Sequence, residues 1–172
     1  MRTQAEIKEA FPADFEERKE QLVKAGLWRG DKLTLKFLFG NLHSLEKNPK
    51  PANSDKSKMN VHRWMMHVSL AADKDQTAKF IESVTYHLHP TFKPSKITVS
   101  QQPFILSRIG WGYFEVHVEV VFKKWTRLPK LELDHMLSFD DGGKQAAFFV
   151  DTEREAVSAQ FEAEFLGKLS LS

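Results

Sequence analysis

The chain has 172 residues, 41% of them hydrophobic, with 25 Lys and Arg, 23 Asp and Glu, and no cysteine. That length fits one domain of about 150 residues with short appended elements, and the lack of cysteine excludes a disulfide scaffold, a thiolate metal site and a thiol nucleophile. Residues 1–30 carry six basic and six acidic residues and residues 141–172 carry three basic against six acidic, so the middle is mildly basic, too weakly to argue sequence-specific nucleic-acid binding.

The N-terminus, Met1-Arg2-Thr3-Gln4-Ala5-Glu6, is too polar for a secretory signal, and no run of about 18 apolar residues is present to span a membrane. A cytosolic or nuclear setting with no membrane partner is therefore expected.

Residues 4–25 are predicted to be helical, with Phe15, Leu22 and Val23 near one face and charged residues over the rest. Pro12 demands a break near Phe11 or a start at Ala13, and Gly26 is a suitable stop. The period then changes to two. Leu33, Leu35, Phe37 and Phe39 alternate into a strand ending at Gly40-Asn41. Residues 46–60, rich in Lys, Pro, Asn and Ser, are expected to be a long mobile loop between strands. Alternation returns at Trp64, Met66, Val68 and Leu70, then at Val84, Tyr86 and Leu88. Phe80 and Ile81 before this third strand could belong to a helical turn.

Ile97 with Val99, and Phe104 with Leu106, mark two short strands. The clearest strand alternates Phe114, Val116, Val118, Val120 and Phe122 with Glu115, His117 and Glu119. Leu131 and Leu133, then Ala147 to Val150, supply the last strands around the turn at Asp140-Asp141-Gly142-Gly143. About eight short strands with turn chemistry between them point to an antiparallel β-sandwich. From Thr152 the period is helical, with Ala156, Phe161, Phe165, Leu166 and Leu169 able to form one apolar stripe. The expected organisation is an N-terminal helical extension over 1–30, a sandwich over 31–151 and a C-terminal helix over 152–172.

Little in the chain argues catalysis. His87 and His89 lie two apart on a predicted strand and could share a metal, with His117 or Glu115 as a third ligand, in a small metal-dependent enzyme. No nucleophile elbow or phosphate-cradling loop accompanies them, so no catalytic residue, metal or cofactor is assigned. Two other segments stand out. Leu88-His89-Pro90-Thr91-Phe92 ends a strand at a proline, which projects Thr91 and Phe92 from a loop. Ile109-Gly110-Trp111-Gly112-Tyr113-Phe114 places a tryptophan between two glycines at a loop tip, either as a lid on the core or as a binding surface.

The strings Tyr86-His87-Leu88-His89-Pro90-Thr91-Phe92, Pro103-Phe104 and Gly110-Trp111-Gly112-Tyr113-Phe114 resemble the signature of the YEATS domain, and Gly40-Asn41 and His62-Arg63-Trp64-Met65 are also similar to that family. The resemblance runs from about Leu33 to about Val150. Gly40-Asn41 and Lys93-Pro94 look closest to the YEATS subunits of acetyltransferase and chromatin-remodelling complexes.

The resemblance implies an immunoglobulin-like sandwich that reads acetyl-lysine, and often crotonyl-lysine, on histone tails, within a nuclear chromatin-modifying or transcription complex. Carried over residue by residue, Phe92 and Trp111 would be aromatic walls around the acyl-amide. Thr91 would offer its hydroxyl to the amide, and the Trp111 backbone N–H would meet the acyl carbonyl. His89 would orient the threonine side, and Gly110 and Gly112 would let the backbone approach. The sequence departs from the family at Lys58-Met59-Asn60-Val61, where some members place an extra aromatic. It departs again at Asp134-His135-Met136, where some place an acidic residue that holds a basic residue of the tail. A YEATS-like sandwich that serves only as a scaffold is the alternative.

Overall fold

A computed structural model of the chain describes residues 28–29, 32–53, 55–153, 155–156 and 159–160. Nine strands follow in chain order: β1 (Trp28–Arg29), β2 (Lys32–Leu45), β3 (His62–Leu70), β4 (Ile81–His87), β5 (Lys96–Val99), β6 (Leu106–Gly110), β7 (Glu115–Phe122), β8 (Leu131–Met136) and β9 (Gly143–Glu153). One sheet has the order β1-β2-β3-β6, with β9 also paired to β2, and the other has the order β5-β4-β7-β8. Every pairing with a resolved register is antiparallel. The fold is thus the antiparallel sandwich that the alternating pattern predicts. The N-terminal helix falls outside the described residues. Of the C-terminal helix expected over 152–172, residues 152–153 are still strand, residues 155–156 and 159–160 are helical, and the others lie outside the described residues. Among the described residues no helix is long and apolar enough to cross a membrane.

The chain divides into two compact units. In the larger, Lys36–Lys123 with Pro129–Phe148, alternate residues of each strand turn inward. Phe37, Trp64, Met66, Val68, Tyr86, Val116, Val118 and Val120 are fully buried. Phe37 meets Phe122 edge-on at 5.9 Å and stacks on Phe148 at 5.2 Å, joining the two sheets through aromatic contacts. The smaller unit, Met1–Leu35 with Lys124–Leu128 and Phe149–Ser172, includes the β1–β2 pairing of Trp28 with Leu33. Thr34 Oγ1 donates to Asp151 Oδ1 at 2.6 Å and Arg127 pairs with Glu153 at 3.0 Å. Strand geometry in this unit persists to Glu153, two residues past the expected boundary.

Gly40-Asn41 does not end its strand. β2 runs through it to Leu45, paired with β3 as far as His62. The glycine is there for close approach: at φ 147°, a Cβ on Gly40 would run into the Lys144 carbonyl. A Cβ on Gly143 would meet the Asn41 carbonyl in the same way. Asn41 is fully buried and fastens the strand to the segment after β8. Its Oδ1 accepts from Ser138 N at 2.9 Å and from His135 Nε2 at 2.7 Å, and its Nδ2 donates to Ser138 O at 2.8 Å.

Residues 46–60 form the expected loop between β2 and β3, and its described residues are folded back through Glu46 N to Val61 O (2.8 Å), Asn60 N to Lys50 O (2.8 Å) and Ala52 N to Lys58 O (2.9 Å). Ala52 is buried. At the tip, Asp55 Oδ1 accepts from Ser57 N and Oγ at 3.0 and 2.6 Å, and these bonds lower the Asp55 pKa. Charge and proline hid this structure, because its order comes from backbone and Asx-type hydrogen bonds rather than from an apolar pattern. Phe104 is likewise no strand residue: it is buried at φ 58°, turning the chain before β6. Phe80 caps a 3-10 turn over Lys74–Lys79, as the helical-turn reading expects, whereas Ile81 opens β4.

Candidate functional site

At the end of β4 the Leu88 N–H reaches Ser95 O at 2.7 Å, and Pro90 ends the ladder. The chain turns with Phe92 N donating to His89 O at 3.0 Å. Inside that turn His89 Nδ1 is 3.2 Å from Thr91 N and 3.0 Å from Thr91 Oγ1. A backbone N–H can only donate, so Nδ1 is the acceptor and the imidazole proton sits on Nε2. The Thr91 hydroxyl then also donates to Nδ1. Its lone pairs remain oriented to accept a proton from another group.

The second motif enters from β6. Gly110 pairs with His62 of β3, and the chain then turns through Trp111 and Gly112 toward β7. Trp111 does not fold over the core. It is 43% exposed, with Lys58 Nζ 5.6 Å from its ring centroid. Beneath lies Trp64, fully buried, meeting Phe92 and Phe114 edge-on at 5.9 and 5.8 Å. Phe92 and Phe114 lie 5.6 Å apart. This aromatic floor fixes Phe92, since moving its ring would break contacts with two others. A Cβ at Gly110 would lie 3.7 Å from Trp64 Nε1 and 3.8 Å from Phe92 Cζ, in ordinary van der Waals contact with both rings. A Cβ at Gly112 would meet nothing within 4 Å.

His89, Thr91, Phe92, Gly110, Trp111 and Gly112 all line one pocket of about 440 Å³. Two segments about twenty residues apart in sequence and on different sheets thus converge, which no local pattern could reveal. Sequence reasoning missed other lining residues. Ala52, Asn53 and Asn60 come from the 46–61 segment, and Lys93, Arg108, Tyr113 and Phe114 flank the two motifs. Tyr113 is 70% exposed and meets Phe139 edge-on at 5.9 Å. Of the departure at Lys58-Met59-Asn60-Val61, Asn60 lines the pocket and Lys58 Nζ stands over the Trp111 ring, a cation and an amide where an aromatic was looked for.

The other departure does not reach the pocket. Asp134 binds His117 Nδ1 at 2.7 Å on the face of β8, His135 is buried and Met136 is exposed. The His87 and His89 pairing is likewise not formed. His89 serves Thr91, whereas the His87 ring lies 5.4 Å from that of His117, its partner across β4 and β7.

Residues 59–141 match the model of the YEATS family. Among curated proteins, the chain is 29% identical over 97 residues to Something about silencing protein 5 of Saccharomyces cerevisiae, covering 55% of this chain and 38% of that protein. It is 25% identical over 135 residues to the Protein AF-9 homolog of Emericella nidulans, covering 78% and 48%. It is 36% identical over 64 residues to Transcription initiation factor TFIID subunit 14 of Schizosaccharomyces pombe, covering 36% and 27%. The chain spans less than half the length of these relatives.

Among solved structures, the Yaf9 YEATS domain bound to H3K27ac superposes with a TM-score of 0.61 at 19% identity, over 77% of this chain and 97% of that one. The Yaf9 YEATS domain recognising an H3K122suc peptide gives a TM-score of 0.61 at 21% identity, over 74% and 89%. These likenesses establish the immunoglobulin-like sandwich. Family match, relatives and fold thus agree that this chain is similar to proteins of the YEATS family.

Proposed function

We propose that the pocket between the Thr91 turn and the Trp111 turn reads acylated lysine on histone tails, within a nuclear chromatin-modifying or transcription complex. The observation that carries this reading is the convergence of Thr91, Phe92 and Trp111 on one aromatic-floored pocket. Support comes also from relatives named as AF-9 homologs and as a transcription initiation factor subunit, and from the acylated peptides named for the Yaf9 domain. YEATS family proteins are chromatin reader or scaffold subunits and not enzymes.

The chemistry suits the ligand. Acylation removes the lysine charge and leaves a planar amide with one donor, one acceptor and an apolar tail. Phe92 and Trp111 offer ring faces to that plane, each contact contributing about 0.5–1.5 kcal/mol beyond area burial. The Thr91 hydroxyl, committed as a donor to His89, accepts the lysine amide proton, and the Trp111 N–H donates to the acyl carbonyl. Meeting both needs matters, because an unpaired buried amide group costs about 1–3 kcal/mol.

An unmodified lysine is excluded twice. Its ammonium would lose water in an aromatic slot, and Lys58, Lys93 and Arg108 already place positive charge around that slot. A flat conjugated crotonyl chain gains more ring contact than an acetyl.

Titrating acetylated, crotonylated and unmodified histone H3 peptides against the chain tests the proposal by calorimetry. The acyl peptides are expected to bind at about 1–100 μM, the range a few such contacts support, and the unmodified peptide not measurably. Phe92→Ala and Trp111→Ala should each weaken binding at least tenfold while the fold is retained. A folded protein that ignores every acyl peptide would be the scaffold alternative.

A further inference from the structure

We propose that the outer face of the β4-β7-β8 sheet binds a divalent transition-metal ion through His87, His117, Glu119 and Glu132. This site is separate from the acyl-lysine pocket. Its side chains share a face by register: His87 is the direct partner of His117 across β4 and β7, and Glu119 of Glu132 across β7 and β8. Residues 117 and 119 are two apart on β7, so they point the same way. On the opposite face Val116, Val118 and Val120 are fully buried, which locks the outward direction of the odd-numbered residues.

The donor geometry favours a tetrahedral cation. Ligand atoms about 2.1 Å from a tetrahedral zinc lie about 3.4 Å from one another. His117 Nε2 is 3.5 Å from Glu132 Oε1, and His87 Nε2 is 3.6 Å from Glu119 Oε2. One donor atom each from His117, Glu119 and Glu132 lies within 4.8 Å of the others. His87 stands outside this triad, next to Glu119, and would join it by rotation of its ring and of the Glu119 carboxylate.

Two further features point to a metal rather than to ordinary surface pairing. His117 Nδ1 is held by Asp134 Oδ1 at 2.7 Å, which places the imidazole proton on Nδ1 and turns Nε2 toward the carboxylates. A carboxylate behind an imidazole in this way orients metal-binding histidines. The His87 Nε2 atom is out of solvent and makes no hydrogen bond. Lys130 Nζ, 3.6 Å from Glu119 and 4.0 Å from Glu132, marks the point on which the two carboxylates converge with a cation already there. A bound ion displaces that half-exposed ammonium into solvent. Two imidazoles with two carboxylates suit Zn²⁺, Ni²⁺ or Cu²⁺ over Mg²⁺ or Ca²⁺, which prefer all-oxygen sets.

Bound there, the ion would tie three strands together. The untagged 172-residue chain, freed of metal by chelator and titrated with Zn²⁺ by calorimetry, should bind one equivalent at micromolar or tighter affinity and melt at higher temperature with Zn²⁺ present. Paramagnetic Cu²⁺ should broaden resonances of His87, His117, Glu119 and Glu132 first. His117→Ala and Glu119→Gln should each weaken Zn²⁺ binding at least tenfold. Phe92→Ala should leave it unchanged, which separates this site from the pocket. No binding by the wild-type protein would overturn the proposal. So would Zn²⁺ affinity undiminished in a folded His87→Ala/His117→Ala double variant, or broadening centred on His43 and His62, whose ring nitrogens lie 2.9 Å apart elsewhere in the fold.

Discussion

Thr91 shows how a single residue acquires a role from its neighbours. A hydroxyl can donate or accept, and alone it would discriminate little. Here the His89 ring accepts the Thr91 backbone N–H at 3.2 Å and lies 3.0 Å from the hydroxyl, so the hydroxyl proton has a partner and the lone pairs are left for a ligand. Thr91→Val keeps the shape and removes the acceptor. We expect it to weaken acetyl-lysine binding about tenfold, the effect of one buried amide proton left unpaired, with no loss of thermal stability. Thr91→Ser should retain most of the affinity. Equal affinities for the Val and Ser variants in calorimetry would show that the hydroxyl is not used.

Gly40 is the other residue whose identity the structure explains. Its φ of 147° and the Lys144 carbonyl against its missing side chain leave no room for a methyl group. Gly40→Ala should lower the unfolding free energy by about 1–3 kcal/mol, the usual effect of forcing extra volume into a packed site. Chemical denaturation would measure this.

At the scale of elements, the strands that were legible in the sequence are those with one buried face. Val116, Val118 and Val120 alternate with Glu115, His117 and Glu119, and β7 forms where that pattern stands. Legibility failed where pairing rather than burial creates order. Gly40-Asn41 reads as a strand end, because glycine and asparagine break strands in isolation. Yet Asn41 spends its amide on Ser138 and His135, and β2 continues. The 46–60 loop reads only as polar, and its backbone bonds and its place beside the pocket, through Ala52, Asn53 and Asn60, have no signal in the pattern.

The two motifs were legible as unusual strings, and their resemblance raised the expectation of a shared pocket. Their meeting depends on which strands of two sheets end side by side, and that is tertiary information. Asn41→Ala tests the element-level account. It strips acceptors from Ser138 N and His135 Nε2 and should destabilise the protein by about 1–3 kcal/mol for each group left buried without a partner.

At the scale of the whole molecule, one buried and two partly buried histidines make stability depend on pH. Burial, with His67 and Lys144 nearby, pushes His135 below its usual 6.5. Burial alone does so for His67, and burial with His43 nearby does so for His62. Each takes up a proton more readily when unfolded than when folded. Their contribution to stability is therefore present above about pH 6.5 and is lost as pH falls below it. Urea unfolding should show lower stability at about pH 5.5 than at pH 7.5. His135→Gln, which keeps a donor for Asn41, should flatten that difference. A protein equally stable at both values would contradict the account.

The larger unit of the fold thus combines a sandwich secured by aromatic packing with a pocket at the end of β4 and β6. Its central claim is that this pocket takes the uncharged acyl-lysine. Backbone amide NMR of the full chain, titrated with one histone H3 peptide in acetylated and unmodified forms, tests this most directly. The account predicts that the acetylated peptide shifts the amides of Thr91, Phe92, Gly110, Trp111 and Gly112, and that the unmodified peptide leaves them in place. Equal shifts with both peptides, or shifts confined to residues away from the pocket, would contradict it.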